Sequence, residues 1–345
     1  QFANKYRYLS TEASAESGKY YVERAYYQKE MMDAVNDPEV KSVVLECSSQ
    51  VGKTEILLNI LLYYIAHDPS PILSKDRISP MIRDNPILHG IFGDPKSKDG
   101  DNSILHKKFS GGHLTICGAN SSSSLSSRPV RIVLLDEVSR FPASAGAEGD
   151  PVNLAIKRSQ TFWNAKTIMV STPTIKGACR IDNAFENSDK RFYKVPCPDC
   201  KEYQVLDWKQ VRWDKDNPDS AQYTCLHCGS LWNDAKRYKA VRNGFFQNTK
   251  EFKGVAGFHI SELYSSWSRL SVMARNFLNC KKFPDQLKTF INLSLAQVWE
   301  DKGNSLNEGE LLSLREDFDK DTIPNDVLVI TAGVDIQDTS IHITY

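Results

Sequence analysis

The chain has 345 residues, 41% apolar and 25% charged, ordinary globular proportions that exclude wholesale disorder, collagen and coiled coil. One hydrophobic core rarely grows to this length, so two or more domains are expected. Lys plus Arg and Asp plus Glu each number 43, so a grip on nucleic acid cannot come from uniform basicity and must be a local patch or a ring of subunits.

The first forty residues form a lead-in segment, aromatic at Tyr20, Tyr21, Tyr26 and Tyr27, then helical through Met31, Met32 and Val35 until Pro38. Val43-Val44-Leu45 has the character of a buried strand. The loop Ser48-Ser49-Gln50-Val51-Gly52-Lys53-Thr54 follows, and an apolar helix continues to Ala66. The run 56–65 within that helix is broken by Asn59 and is too short to cross a bilayer. No secretory signal opens the sequence, so a cytosolic setting without membrane contact is expected. Further strands are expected at 114–116, 132–135 and 167–170, and strands alternating with helices imply a mostly parallel α/β sheet. Short aromatic segments occupy 193–229, and helices resume at 270–280 and 284–299. A late strand at 327–334 precedes the alternating Ile341, Ile343 and Tyr345.

A strand, a turn ending Gly52-Lys53-Thr54 and a helix are the context of a phosphate loop. Backbone N–H groups from Ser49, Gln50, Val51 and Gly52 would surround ATP phosphates, Lys53 would reach the β/γ oxygens, and the Thr54 hydroxyl would bind Mg²⁺. The full pattern has glycine where this chain has Cys47, so the match is a variant. The run 132–135 ends in Asp136-Glu137, at the strand edge where open α/β sheets bind ligands. Asp136 would hold Mg²⁺ through water, and Glu137 would orient or deprotonate the attacking water. A surface turn and an acidic strand end are the bland alternatives.

Of eight cysteines, Cys197, Cys200, Cys225 and Cys228 form two Cys-x-x-Cys pairs with 24 residues between them. That pattern favours one closed, structural Cys₄ zinc site over a disulfide framework, with unpaired thiols as the alternative. His227 is not expected to be a ligand. Loss of the ion is expected to destabilise the middle of the chain while sparing nucleotide binding. The element either replaces a missing core or offers Lys201, Lys209 or Arg212 to DNA, beside a denser basic run at Lys236, Arg237, Lys239 and Arg242.

Several stretches together resemble the large terminase subunit of lambda-like tailed phages. They are 7–10, 48–55, 127–138, 171–174, 195–200, 257–259 and 328–337, and they span the chain in family order. The resemblance implies a DNA-packaging ATPase with a metal-dependent, RNase H-like nuclease, working as a ring on double-stranded DNA with a portal and a small terminase subunit in the host cytoplasm. It assigns Gln28 to the adenine edge, Thr172 within Ser171-Thr172-Pro173-Thr174 to γ-phosphate sensing, and Asp335 to the first nuclease metal ligand. It also suggests that Arg128, with Arg131 as competitor, is an arginine finger acting on a neighbour. The expected divisions are an ATPase at 1–192, a zinc-ribbon-like insertion at 193–234, a helical linker at 235–322 and a truncated nuclease start at 323–345. The remaining acidic nuclease ligands would lie past Tyr345, so this chain alone is not expected to cut DNA.

Relatives of this kind usually carry a further strand and turn between Leu73 and Ser74, which implies either a deletion or omitted residues. A helicase-like or remodelling ATPase, and a zinc-containing nucleic-acid-binding module with a degenerate nucleotide site, are the competing functions.

Overall fold

The computed structural model describes residues 1–300 apart from 13, 15, 75–77, 93–102, 104, 122–124, 126, 127 and 216. C-terminal to these it describes 333–336 and 341–344. The chain divides into two units, Gln1–Glu300 and Asp301–Tyr345.

The first unit opens with helix α1 (Phe2–Tyr6), a two-stranded pair of β1 (Tyr8–Leu9) and β2 (Gly18–Lys19), and helix α2 (Gln28–Asp33). Strand β3 (Ser42–Cys47) then leads into helix α3 (Lys53–Ala66). Next come β4 (Ile72–Ser74), α4 (Ile78–Asp84), β5 (His106–Phe109), β6 (Gly112–Ile116) and β7 (Ile132–Asp136). They are followed by α5 (Pro151–Lys157), β8 (Lys166–Ser171), α6 (Arg180–Glu186), β9 (Arg191–Pro196) and β10 (Tyr203–Val205). A separate three-stranded sheet is made of β11 (Val211–Asp214), β12 (Asn217–Thr224) and β13 (Leu231–Trp232). Helix α7 (Asp234–Arg242), β14 (Phe245–Asn248), β15 (Val255–Ile260), α8 (Leu270–Cys280) and α9 (Pro284–Leu293) complete the unit.

Among the described residues, ten strands form the main sheet in the order β10-β9-β15-β3-β8-β7-β4-β6-β5, with β14 also on β9. Every pair from β9 through β6 is parallel. Such strands lie under cover on both faces, which is why the centres of β3, β7 and β8 (43–45, 132–135 and 168–170) are apolar runs rather than alternations. Residues of β3 divide accordingly. Leu45 and Cys47 face the core cluster containing α3, while Val44 faces the cluster of Cys179, Ile181 and Phe185. Asn59, the polar break in α3, is buried and accepts a hydrogen bond from Arg7 Nε at 3.2 Å.

Strand β4 runs through the Leu73–Ser74 junction and pairs with β7 on one side and β6 on the other. Among the described residues the sheet is therefore continuous across the junction. Strand β9 crosses the expected division at 192, and β14 and β15 lie within the expected helical linker at 235–322, yet all three belong to the main sheet, with β15 directly beside β3. Two features hide β15 from periodicity. Gly257 is needed because a Cβ there would collide with the Ser188 side chain, and His259 interrupts the apolar pattern. Helix α9 stops at Leu293, short of the expected 299.

In the second unit, β16 (Gly333–Ile336) and β17 (Ile341–Thr344) pair antiparallel, and the expected strand at 327–334 lies outside the described residues except for Gly333 and Val334. Asp335 lies in β16.

Candidate nucleotide site and cysteine cluster

The loop 48–52 leaves the buried end of β3 and turns into α3 through two left-handed residues, Gln50 (φ 61°) and Gly52 (φ 75°). Gly52 is required twice, for this backbone and because a Cβ would run into the Gln28 amide. Cys47 remains inside β3, fully buried, and burial pushes its thiol up to about 12. The departure from glycine therefore falls where extended backbone accepts any side chain.

The loop is pinned from several directions. Ser48 N–H donates to Ile260 O at 2.9 Å, and Ser265 Oγ donates to Gln50 O at 3.0 Å. Val51 O accepts from Tyr27 OH at 3.0 Å and Gln28 Nε2 at 2.9 Å. Ser49 directs its N–H (2.7 Å) and its hydroxyl (3.0 Å) to Leu293 O. Both donors of Ser49 thus anchor the loop to the end of α9.

Helix α3 begins at Lys53, and its ammonium reaches across to Glu137 Oε1 at 2.8 Å. Glu137 sits just past the C-terminal tip of β7 in left-handed backbone (φ 58°), a strained state for a non-glycine residue, and also meets Arg140 Nε at 3.3 Å. Asp136, the last residue of β7, is opposite Val170 of β8 in the ladder. Beyond β8, Thr172 is buried, and Ser139 N–H donates to Ser171 Oγ at 3.3 Å. The loop 48–52, the acidic strand tip and the Ser171–Thr174 segment therefore meet at one edge of the sheet.

Gln28 is buried, and its amide orientation is fixed by Val51 O and by Tyr20 OH, which donates to Oε1 at 2.7 Å. It lines a cleft of about 500 Å³ with Tyr20, Tyr21, Gln50, Gly52 and Trp267. That volume suits a small-molecule ligand. Motif reasoning missed Tyr20, Ser265 and Trp267; none carries a spacing signal, because the segments meet only in three dimensions.

Beneath the loop, Glu46 of β3 lies opposite His259 of β15. Burial first, then Asp182, Cys179 and Glu186, push the Glu46 carboxyl well above its usual range. Burial pushes His259 down to about 4, and its Nε2 lies 2.9 Å from Ala296 O.

The two candidate finger residues differ sharply. Arg131 is bidentate to Asp68 (3.0 and 2.9 Å), reaches Ser70 Oγ at 2.7 Å and lies 5.5 Å over the Tyr64 ring. Arg128 is exposed and meets His106 Nε2 at 2.9 Å. It precedes β7, and five residues of strand, roughly 17 Å, lie between that end and Glu137.

Cys197, Cys200, Cys225 and Cys228 bring their sulfurs within 4.8 Å of one another. The two turns repeat one geometry. Cys197 N–H donates to Glu202 O and Cys225 N–H to Ser230 O, both at 2.9 Å, and Lys201 and Gly229 take left-handed backbone at matching positions. Burial pushes the Cys197 thiol up, but the Ser230 hydroxyl and the backbone N–H groups of Cys200 and Asp199 outweigh it and favour thiolate. The cluster joins β9–β10 of the main sheet to β12–β13 of the small one. The basic run after it is not a uniform solvated face. Arg237 is wholly buried, and Lys236 pairs with Asp199 at 3.2 Å.

Residues 14–246 match the family model described as phage terminase large subunit gpA, ATPase domain, and residues 255–345 match the terminase large subunit gpA, endonuclease domain. The chain belongs to the gpA large terminase family. Among its relatives is the terminase large subunit of Enterobacteria phage P21, 30% identical over 376 residues. The terminase large subunit of Escherichia phage lambda is 27% identical over the same length. Each match covers 98% of this chain and 58% of the relative, so the chain spans little more than half the length of these relatives. The large terminase ATPase domain of Thermus phage P74-26 is 14% identical, covering 77% of this chain and 92% of that one, with a TM-score of 0.41. A mutant of that domain gives 0.42. No helix among the described residues of this terminase chain is long and apolar enough to cross a membrane.

Proposed function

We propose that this chain is the ATP-hydrolysing part of a viral DNA-packaging motor subunit that moves double-stranded DNA into a procapsid. The observation that carries the reading is the 2.8 Å pair between Lys53 and Glu137, which joins the phosphate loop to the acidic strand tip. When ATP enters, Lys53 exchanges Glu137 for the β/γ oxygens. Glu137 is thereby freed to orient the attacking water and take its proton. Gln50, Val51 and Gly52 shape the phosphate cradle, and Thr172 senses the γ-phosphate. Thr54 and Asp136 would hold Mg²⁺, which would supply charge neutralisation at the phosphates.

Gln28 reads the base. With one N–H on Val51 O and one lone pair on Tyr20, its amide retains one donor and one acceptor. Those suffice for the N7 and N6 positions of adenine. Arg128 serves a neighbouring subunit in a homo-oligomeric ring, since Arg131 is committed to Asp68.

The four cysteines would hold a structural zinc ion. Sulfurs 3.8 Å (Cys197–Cys228) and 3.9 Å (Cys200–Cys225) apart match the edges of about 3.8 Å that a tetrahedron with Zn–S bonds of about 2.3 Å requires. Asp335 would supply the first metal-binding carboxylate of an RNase H-like nuclease that, in the full-length protein, cuts concatemers with a divalent metal. The portal ring and the small terminase subunit are the proposed partners, and the host cytoplasm is the setting.

ATP turnover measured with and without double-stranded DNA, alongside binding to a portal ring and a small terminase subunit, tests the reading. DNA-stimulated turnover and portal binding support it. Turnover without portal binding would favour a helicase-like ATPase instead.

A further inference from the structure

We propose that Trp267 contacts the nucleotide base and that the buried guanidinium of Arg237 positions it. The proposal rests on the nucleotide reading above and assigns to the base subsite a residue far along the chain from the phosphate loop. The cleft of about 500 Å³ has Gln28, Gln50 and Gly52 on its loop side, and its walls include Tyr21 and Trp267. Both aromatics are well exposed, 54% for Tyr21 and 42% for Trp267. The Glu16 carboxyl is held below its usual range chiefly by Arg24, with a smaller hydrogen bond from Trp267. A base whose edge meets Gln28 would find a planar apolar wall in Trp267, and stacking on such a wall is tolerant of base identity. Gln28 then supplies selectivity and Trp267 supplies affinity.

The segment carrying Trp267 is held on both sides. Ser265 Oγ accepts from Trp267 N–H at 3.2 Å while donating to Gln50 O at 3.0 Å, and Ser266 Oγ donates to Arg24 O at 2.7 Å. Behind it, Arg237 is 0% exposed and donates to the carbonyls of Leu263, Ser265 and Ser268 and to Asp234. A cation buried so completely is tolerated only when its donors are satisfied. Here the acceptors are backbone carbonyls flanking Trp267, so the guanidinium fixes the course of that loop. Lysine's compact ammonium lacks the planar fork whose separate nitrogens reach Leu263 O and Ser265 O on one side and Ser268 O with Asp234 on the other.

Titration calorimetry of the full chain with ATP and with inorganic tripolyphosphate tests both residues, because only ATP has a base. Trp267→Ala should weaken ATP binding about tenfold or more and leave tripolyphosphate within about twofold, and Trp267→Phe should recover most of the loss. Arg237→Lys should give the same selective loss, its intact tripolyphosphate binding certifying the fold. Equal ATP affinity in Trp267→Ala, or parallel loss of both ligands, would overturn the assignment. A wild-type chain that bound neither ligand would overturn the nucleotide reading itself, and this proposal with it.

Discussion

The ammonium of Lys53 lies 2.8 Å from the carboxylate of Glu137, although 84 positions separate them in the chain. Both side chains are largely shielded, and Glu137 accepts a left-handed backbone to point there. Strain of this kind, costing on the order of 1–3 kcal/mol, persists where surrounding structure enforces it and clusters at functional sites.

Lys53→Ala and Glu137→Gln should each abolish ATP hydrolysis. Glu137→Gln should still bind ATP, since the phosphate cradle and Lys53 remain and only the water-activating carboxylate is gone. Steady-state turnover together with ATP titration checks this, and near-normal turnover in either variant would refute the placement of the site.

Arg128 and Arg131 should separate cleanly. Arg128→Ala should lower turnover of the assembled motor by about 10³-fold or more, with little change in thermal stability, because the side chain is exposed. Excess Lys53→Ala subunits, which still carry Arg128, should rescue it in mixed assemblies. Arg131→Ala removes the bidentate contact to Asp68 and the cover over Tyr64. It should lower the melting temperature by a few degrees and show no such complementation.

The Glu46–His259 region gives stability two opposing pH dependences. His259 has a folded value near 4, below its ordinary 6.5, so the unfolded chain binds the extra proton between those values. Its contribution, about 3 kcal/mol at most, is present above pH 6.5 and lost as pH falls towards 4. Glu46 runs the other way. Its raised value favours the folded state at low pH, and that advantage is lost as pH rises. Denaturant titrations from pH 4 to 8 should therefore show a flatter acid limb in His259→Gln and better retention of stability at neutral pH in Glu46→Gln. Parallel pH profiles for both variants and the wild type would exclude this account.

The sequence was most informative where one local pattern carries the signal. The strands at 43–45, 114–116, 132–135 and 167–170 lie within β3, β6, β7 and β8, and in β3, β7 and β8 the signal is the apolar run of a buried parallel strand. The paired cysteines converge as their spacing required. Contacts between distant segments left no such trace. Gln28 carries no sign of its burial, which depends on Tyr20 and Val51. Ser49 was expected at the phosphates, but Leu293 takes both its donors. Arg237 was grouped with a basic run because composition cannot distinguish a solvated guanidinium from one enclosed by carbonyls.

Metal removal should reach further than a simple structural knot would allow. The chain should carry about one zinc, and Cys200→Ser or chelation should release it and loosen the turns at 197–202 and 225–230. The second turn runs into Trp232, which is fully buried with Nε1 on Ser230 Oγ at 3.1 Å, and then directly into α7, which carries Arg237. Disorder at the cysteines should therefore pass through Arg237 to the 263–268 segment and the Trp267 wall, weakening ATP more than tripolyphosphate. Sequence reasoning led to the opposite expectation, that nucleotide binding would be spared. Metal analysis paired with both titrations decides between them. No zinc in the purified chain would remove the premise, whereas zinc release with unchanged ATP affinity would leave the cysteine cluster as a local brace, uncoupled from the cleft.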